Sequence, residues 1–332
     1  MNLLKVTPSP HIRGEMTTQR VMLCVLISLL PTVIASGILF GLPALILIST
    51  CVVSSIFFEF VTRIIMKREQ TIGDLSAAVT GLILALNLPP SLPWWMAVIG
   101  CFVAIVIVKQ LFGGLGQNFA NPAVVGRIVL MLSFGSAMTT WTDPKYLNTF
   151  NPLFDGYDDV IASATPLVRE FPDLQVQASY LDLLFGTTTG CLGETCAMAL
   201  LIGGIYLIIR KIISPVTPIA FIGTVGILSF IYCTTGTGIM FGLEHALYQM
   251  LSGGLILGAF FMATDYVTTP ITNKGKLIFG VGCGLITFII RTFGSYPEGV
   301  SFAILLMNIV TPYIDRFTMP KPVGAVKEEK TE

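Results

Sequence analysis

Residues 186–204 read GTTTGCLGETCAMALLIGG, a stretch rich in glycine and threonine with one carboxylate, Glu194, set against the start of an apolar run. Thr195 falls at the first turn of that run, directly after Gly193 and Glu194. A helix N-terminus presents unpaired N–H groups and the positive end of the peptide dipole, which together suit an anion. Two chemistries are therefore open to Thr195: its hydroxyl caps the helix, or it carries a phosphate-linked group whose charge those N–H groups meet. A second stretch, LFGGLGQNFANPAVVGR over 111–127, sets Asn118 and Asn121 three apart, on one face if the segment is helical. Two carboxamides there can read the edge of a polar heterocycle, because each offers donors and an acceptor. They can equally cap the helix that Pro122 opens.

Several charged residues stand in or beside apolar runs. Arg127 requires a partner, a phosphate or a water-lined cavity, because a bare guanidinium in lipid is costly. Asp74 reads as the cap of the helix that follows it. Glu59, Asp74 and Asp265 are also the candidates for passing a cation across a membrane. Only two histidines occur, His11 and His245, and they fall on opposite sides of the expected topology, which excludes a bis-His haem. The seven cysteines form no C-x-x-C pair, and most read as small buried hydrophobes. Cys191 and Cys196, flanking the opening motif, can pair or ligate, but a metal site or an iron–sulfur cluster held by this chain alone is not expected. No acid–base constellation of an independent catalyst stands out.

The elements that must position these residues follow from composition. The chain has 332 residues, 54% hydrophobic and only 11% charged, against about a quarter charged in a soluble domain. Apolar runs recur at about the 20-residue length that crosses a bilayer as helix. The fold expected is an all-α membrane protein with ten spans: 21–40, 43–62, 75–89, 92–109, 119–138, 194–209, 216–234, 243–262, 277–291 and 298–313. With both termini inside, only Lys145 and Arg169 among the 19 basic residues fall in outer loops, with Arg127 and Arg291 inside spans. The positive-inside rule therefore favours N-in and C-in. This divides the chain into a cytoplasmic segment 1–20, a five-helix unit 21–138, an acidic outer loop 139–193, a second five-helix unit 194–313 and a cytoplasmic tail 314–332.

The two units echo each other. TGLILALNLPP (80–90) resembles GGLILGAFFMA (253–263), NFANPAVVGRIVLM (118–131) stands where YPEGVSFAILLMN (296–308) stands, and GEMTTQRVMLCVLI (14–27) matches GETCAMALLIGG (193–204). Five spans per unit force the second to run inverted, an arrangement whose functional groups gather at broken helices near the pseudo-two-fold axis. Interruptions are expected at 87–93, 113–122, 264–275 and 294–299.

SPHIR near the start, DLSAAVTGLILALNLPP, GGLGQNFANPAVVGR and GCLGETCAMALLIGG, in this order on ten spans, resemble one family over residues 1 to 320. It is the family of the D-type membrane component of the Rnf complex, an ion-translocating ferredoxin:NAD⁺ oxidoreductase. That family is paralogous to the B-type component of the Na⁺-translocating NADH:quinone oxidoreductase. The resemblance implies FMN held as a phosphoester on Thr195, with Gly193 and Glu194 matching the D-type motif. It raises the ligand reading of Asn118 and Asn121, since the paralogue binds riboflavin near an Asn-x-x-Asn of this kind. It further implies a multi-pass protein of a prokaryotic plasma membrane. Its partners would be membrane lipid and the A-, B-, C-, E- and G-type components of the Rnf complex, iron–sulfur and flavin proteins among them, and no nucleic acid. The function implied is electron transport coupled to Na⁺ or H⁺ movement. A stand-alone inverted-repeat channel or carrier for a small polar solute is the competing reading.

Overall fold

The computed structural model describes residues 16–142, 162–163, 180–237, 239–294 and 298–320. His11, most of the acidic 139–193 segment and the tail beyond 320 lie outside the described residues. Among the described residues the regular structure is helical, save two paired residues in each of β1 (Trp141–Thr142) and β2 (Ala162–Ser163).

Helix α1 (Thr18–Phe40) starts where the Thr17 hydroxyl accepts from the Arg20 N–H, 3.3 Å away. Gly41, at φ 70°, turns the chain directly into α2 (Leu42–Ile65). A 3-10 turn, Ile72–Asp74, precedes α3 (Ser76–Leu86), whose 11 residues are too few to cross a bilayer. The next helix, α4 (Trp94–Phe102), continues as a π-helical stretch, Val103–Gln110. Pro122 occupies the first turn of α5 (Pro122–Ser133), and a single turn, α6 (Gly135–Met138), follows. After α7 (Tyr180–Phe185) come α8 (Ala197–Ile209), α9 (Val216–Thr237) and α10 (Ile239–Leu251). Then α11 (Leu255–Leu257) widens into a π-helical Gly258–Met262, before α12 (Asn273–Phe293) and α13 (Val300–Thr318).

Among the described residues, five helices (α1, α2, α9, α12 and α13) are long and apolar enough to cross a membrane, and the bent pair α10–α11 makes a sixth. The expected continuous span 243–262 is in fact broken at 252–254, with a 62° bend. Gly253, at φ 72°, ends α10. Arg291 then takes the freed carbonyls, at 2.7 Å from Gln249 O and 3.2 Å from Ser252 O. A cation at a helix C-terminus satisfies orphan carbonyls and the dipole together, and this accounts for an arginine inside the expected ninth span. The last helix also runs past the expected boundary at 313, to Thr318, and Asp315 Oδ1 accepts from Ile271 N at 3.1 Å.

Helices approach closely at glycines, the small-residue packing usual where no water drives helices together. A Cβ on Gly203 of α8 would sit 2.1 Å from Ser28 O of α1, and one on Gly81 of α3 would sit 2.6 Å from Cys51 O of α2. Besides the α1–α8 and α2–α3 pairs, α2 packs on α4, α9 on α10 and α12, and α5 on α13. Large apolar side chains face outward all round: Ile38, Ile65, Ile209, Ile219 and Phe293 are each more than 65% exposed. Water would not tolerate so continuous an apolar surface, whereas lipid would.

Candidate functional site

Two polar centres lie at opposite ends of the short helix α3, about 16 Å apart by its helical rise. The first surrounds Ser76 at its start. Asp74 accepts from Ser76 N at 2.8 Å and so caps α3 from two residues ahead. Lys109, at the end of the π-helical stretch, is 2% exposed and reaches Glu59 Oε2 at 2.8 Å and Ser76 Oγ at 2.6 Å. Thr71 donates to the other Glu59 oxygen at 2.6 Å. Glu59 is thus closed in a buried ion pair rather than open to a passing cation. The wide turn of a π-helix, common at functional positions, ends on Lys109.

Beside this network opens a cleft that reaches the surface. Lys109, Ser76, Asn118, Asn121 and Asp265 line it, with the Phe260 ring and the starts of α1 and α5. Asn121 does cap α5: its Oδ1 accepts from Ala123 N at 3.0 Å, while its Nδ2 donates to Met262 O at 3.1 Å, joining the two halves of the chain. Asn118 Nδ2 donates to Ala120 O at 2.9 Å. Asn121 therefore both caps α5 and lines the cleft, while Asn118 lines it without capping a helix. Asp265 hydrogen-bonds the side chains of Asn118 and Thr268. Burial pushes its carboxyl above the usual carboxylate range, and those bonds with the backbone N–H groups of Val267 and Tyr266 oppose the rise.

The second centre lies at the other end of α3. The loop before α8 pairs with the end of α3: Gly193 N donates to Leu86 O at 2.7 Å and Leu192 N to Leu88 O at 3.0 Å. A Cβ on Gly193 would meet Leu86 Cβ at 2.7 Å, so this glycine serves the contact with α3. Helix α8 begins at Ala197, not at 194, and no side chain caps it. Thr195 precedes the cap position, is 2% exposed, and its Oγ1 has no hydrogen-bond partner. Its neighbour Thr187, by contrast, donates to Asp182 at 2.6 Å. Capping therefore does not explain the Thr195 hydroxyl, and a buried hydroxyl left unpaired is expensive.

Next to Thr195, Glu194 Oε2 accepts from Cys191 N at 3.3 Å. Ligand atoms of Cys191, Glu194 and Glu298 lie within 4.8 Å of one another, all buried. The guanidinium of Arg127 is their counter-charge: it pairs with Glu298 Oε2, approaches Cys191 Sγ at 3.6 Å, and donates to Asn87 Oδ1 at 2.9 Å and Ser301 Oγ at 3.1 Å. Burial pushes the Cys191 thiol up to about 12, so it stays neutral. Cys191 and Cys196 are both free, and Cys196 donates to Leu184 O at 3.6 Å, so the two do not pair. Sequence reasoning missed Lys109 and Glu298 as partners. The available signal was that Glu59 and Arg127 each needed an opposite charge within the apolar runs.

A helical, lipid-compatible fold with two buried polar centres beside broken helices defines a membrane protein built around internal sites. Residues 5–324 match the NQR2, RnfD, RnfE family, and the chain belongs to that family. Its relatives include the D-type components of three ion-translocating oxidoreductase complexes. That of the Na⁺-translocating ferredoxin:NAD⁺ oxidoreductase of Acetobacterium woodii is 45% identical over 330 residues, covering 98% of this chain and 97% of that protein. That of the proton-translocating ferredoxin:NAD⁺ oxidoreductase of Clostridium ljungdahlii is 41% identical over 332 residues, covering 97% of each. That of the ion-translocating oxidoreductase of Actinobacillus succinogenes is 38% identical over 351 residues, with 97% and 98% covered.

Proposed function

We propose that this chain is the flavin-carrying membrane component of an ion-translocating ferredoxin:NAD⁺ oxidoreductase, with FMN phosphoester-linked to Thr195 Oγ1. The place in the complex rests on relatives of that name that match nearly the whole chain. The attachment rests on one observation above others: Thr195 Oγ1 is a buried, unpartnered hydroxyl beside an uncapped helix N-terminus. That hydroxyl would supply the ester oxygen, and the uncapped N–H groups at the start of α8 would offset the phosphate's charge. Bound there, an isoalloxazine supplies one- and two-electron transfer, which no side chain of this protein can supply. The chain's part is to hold it in place, exclude water and set the local charge. Partner proteins that deliver and remove electrons complete the enzyme, and its setting is a prokaryotic plasma membrane.

The cleft at the other end of α3 is the place for a second, non-covalent flavin such as riboflavin. Asn118 and Asn121 offer carboxamides, Asp265 a carboxyl, Lys109 a cation and Phe260 an apolar wall. Ten passes require the shorter apolar helices α3, α4 with its π-helical extension, α5 and α8 to cross together with the non-helical chain beside them, in addition to the six longer ones. An inverted repeat is supported by like meeting like: α1 packs on α8 and α5 on α13, while α2 and α9 each hold the third and fourth spans of their own half. The same architecture would suit a channel for a small polar solute. Against that stand two buried ion pairs and an orphan hydroxyl, none of which a neutral solute would need.

The test is a denaturing gel of the protein made in a host that attaches flavins. A fluorescent band that vanishes in Thr195→Ala supports the assignment. A dark wild-type band overturns it.

A further inference from the structure

We propose that Arg127 is the residue that holds the phosphate of the Thr195 site, and that Glu298 occupies its grip where that phosphate would lie. The inference rests on the flavin attachment proposed above and adds to it the counter-ion. A threonine–flavin phosphodiester keeps one negative charge at neutral pH. The buried cluster it would join already holds two carboxylates, Glu194 and Glu298, against two arginines, Arg127 and Arg291, with a neutral thiol between. A third anion in a dry site requires a cation with donors to spare.

Arg291 is committed to closing α10, with four of its five N–H donors taken. Its Nε donates to Glu298 O at 3.1 Å, and both terminal nitrogens are committed to the Gln249 and Ser252 carbonyls that close α10. Arg127 is differently placed. It is 3% exposed, its Nε has no partner, and its NH2 holds only a carboxylate and a thiol sulfur. Nε with NH2 is the edge of a guanidinium that takes a phosphate in two parallel hydrogen bonds. Cys191 Sγ lies 3.6 Å from that NH2, and the Glu194 carboxylate, one residue from Thr195, lies within 4.8 Å of Cys191 Sγ and of Glu298. Two unsatisfied buried groups thus border one cluster: Arg127 Nε belongs to the guanidinium that holds Cys191 and Glu298, and Thr195 Oγ1 to the residue after Glu194. A phosphodiester on the hydroxyl answers both.

The experiment measures flavin per protein by in-gel fluorescence, and accumulation in the membrane, for four variants in a flavin-attaching host. Thr195→Ala must be dark; if wild type is dark as well, the attachment itself fails and this inference falls with it. Arg127→Gln combined with Glu298→Gln removes both charges and leaves no lone buried ion. It is expected to accumulate normally while its flavin falls about tenfold, the scale of one charge-assisted hydrogen bond. Loading as bright as wild type in that variant, with Thr195→Ala dark, overturns the inference alone. Glu298→Gln by itself is expected to keep wild-type loading, because the phosphate neutralises Arg127; a dark band there overturns the inference. Glu298→Gln with Thr195→Ala leaves Arg127 with neither anion and is expected to accumulate several-fold less than Glu298→Gln. Equal accumulation of those two overturns the inference even if the Arg127 variant fails to fold.

Discussion

Lys109 and Glu59 form the ion pair whose partners come from different helices, both within a few per cent of complete burial. Breaking such a pair strands a charge, and Lys109→Met is expected to destabilise the protein by roughly 3–5 kcal/mol. Replacing both residues by apolar ones of similar size should recover most of that loss, measured as thermal stability in detergent. Asp265 carries the opposite kind of cost. Its carboxyl is raised in the folded chain, so the folded state binds more protons than the unfolded one between the ordinary carboxylate pKa and the raised value. Stability from this group is fully present below its ordinary pKa and is lost as pH rises through the raised one. Asp265→Asn should therefore raise the melting temperature more at pH 8 than at pH 4.5, and an equal gain at both would contradict the burial of this group. At this scale Thr195, Asn118 and Asn121 were legible because motif and position marked them. Lys109 was read only as an inside charge, and Glu298 only as the start of a span. Their partners lie 50 and 171 residues away in the chain, and no local pattern announces such a meeting.

The broken helices decide where these side chains meet. Helix α3 ends at Asn87 because Pro89 and Pro90 cannot continue it, and the loop before α8 then supplies N–H donors to its last carbonyls. That break was visible in the proline pair. The break at 252–254 was not, because Ser-Gly-Gly inside an apolar run carries no hydrophobic signal, and only the positive φ of Gly253 with Arg291 behind it makes the bend. The start of α8 was placed three residues early for a similar reason, since Glu194 and Thr195 look like a cap and are not one. The α1–α8 crossing depends on Gly203. Gly203→Val would force its Cβ within 2.1 Å of Ser28 O, so the helices must part. A loss of at least 1–3 kcal/mol is expected, read as reduced accumulation, whereas Gly73→Ala, which meets nothing within 4 Å, should be neutral.

Across the whole molecule, the lipid-facing surface, the helical class and the family were legible from composition and from four motifs in order. The packing of α1 on α8 and of α5 on α13 was legible only as a weak echo between the sequences of the two halves. The proposed inverted topology makes a direct prediction. Reporters fused after Thr318 should be active on the cytoplasmic side, and single cysteines introduced at 145 and 169 should react with an impermeant reagent from outside. The reverse pattern would contradict the N-in, C-in arrangement and put Thr195 on the wrong face.

Everything proposed for electron transfer depends on what Thr195 carries. The most direct measurement is mass spectrometry of the peptide spanning 186–209, from protein made in a flavin-attaching host. The expected result is a mass increased by FMN less one water, with fragment ions assigning the addition to Thr195. An unmodified peptide, or FMN on Thr187, Thr188 or Thr189 instead, would contradict it.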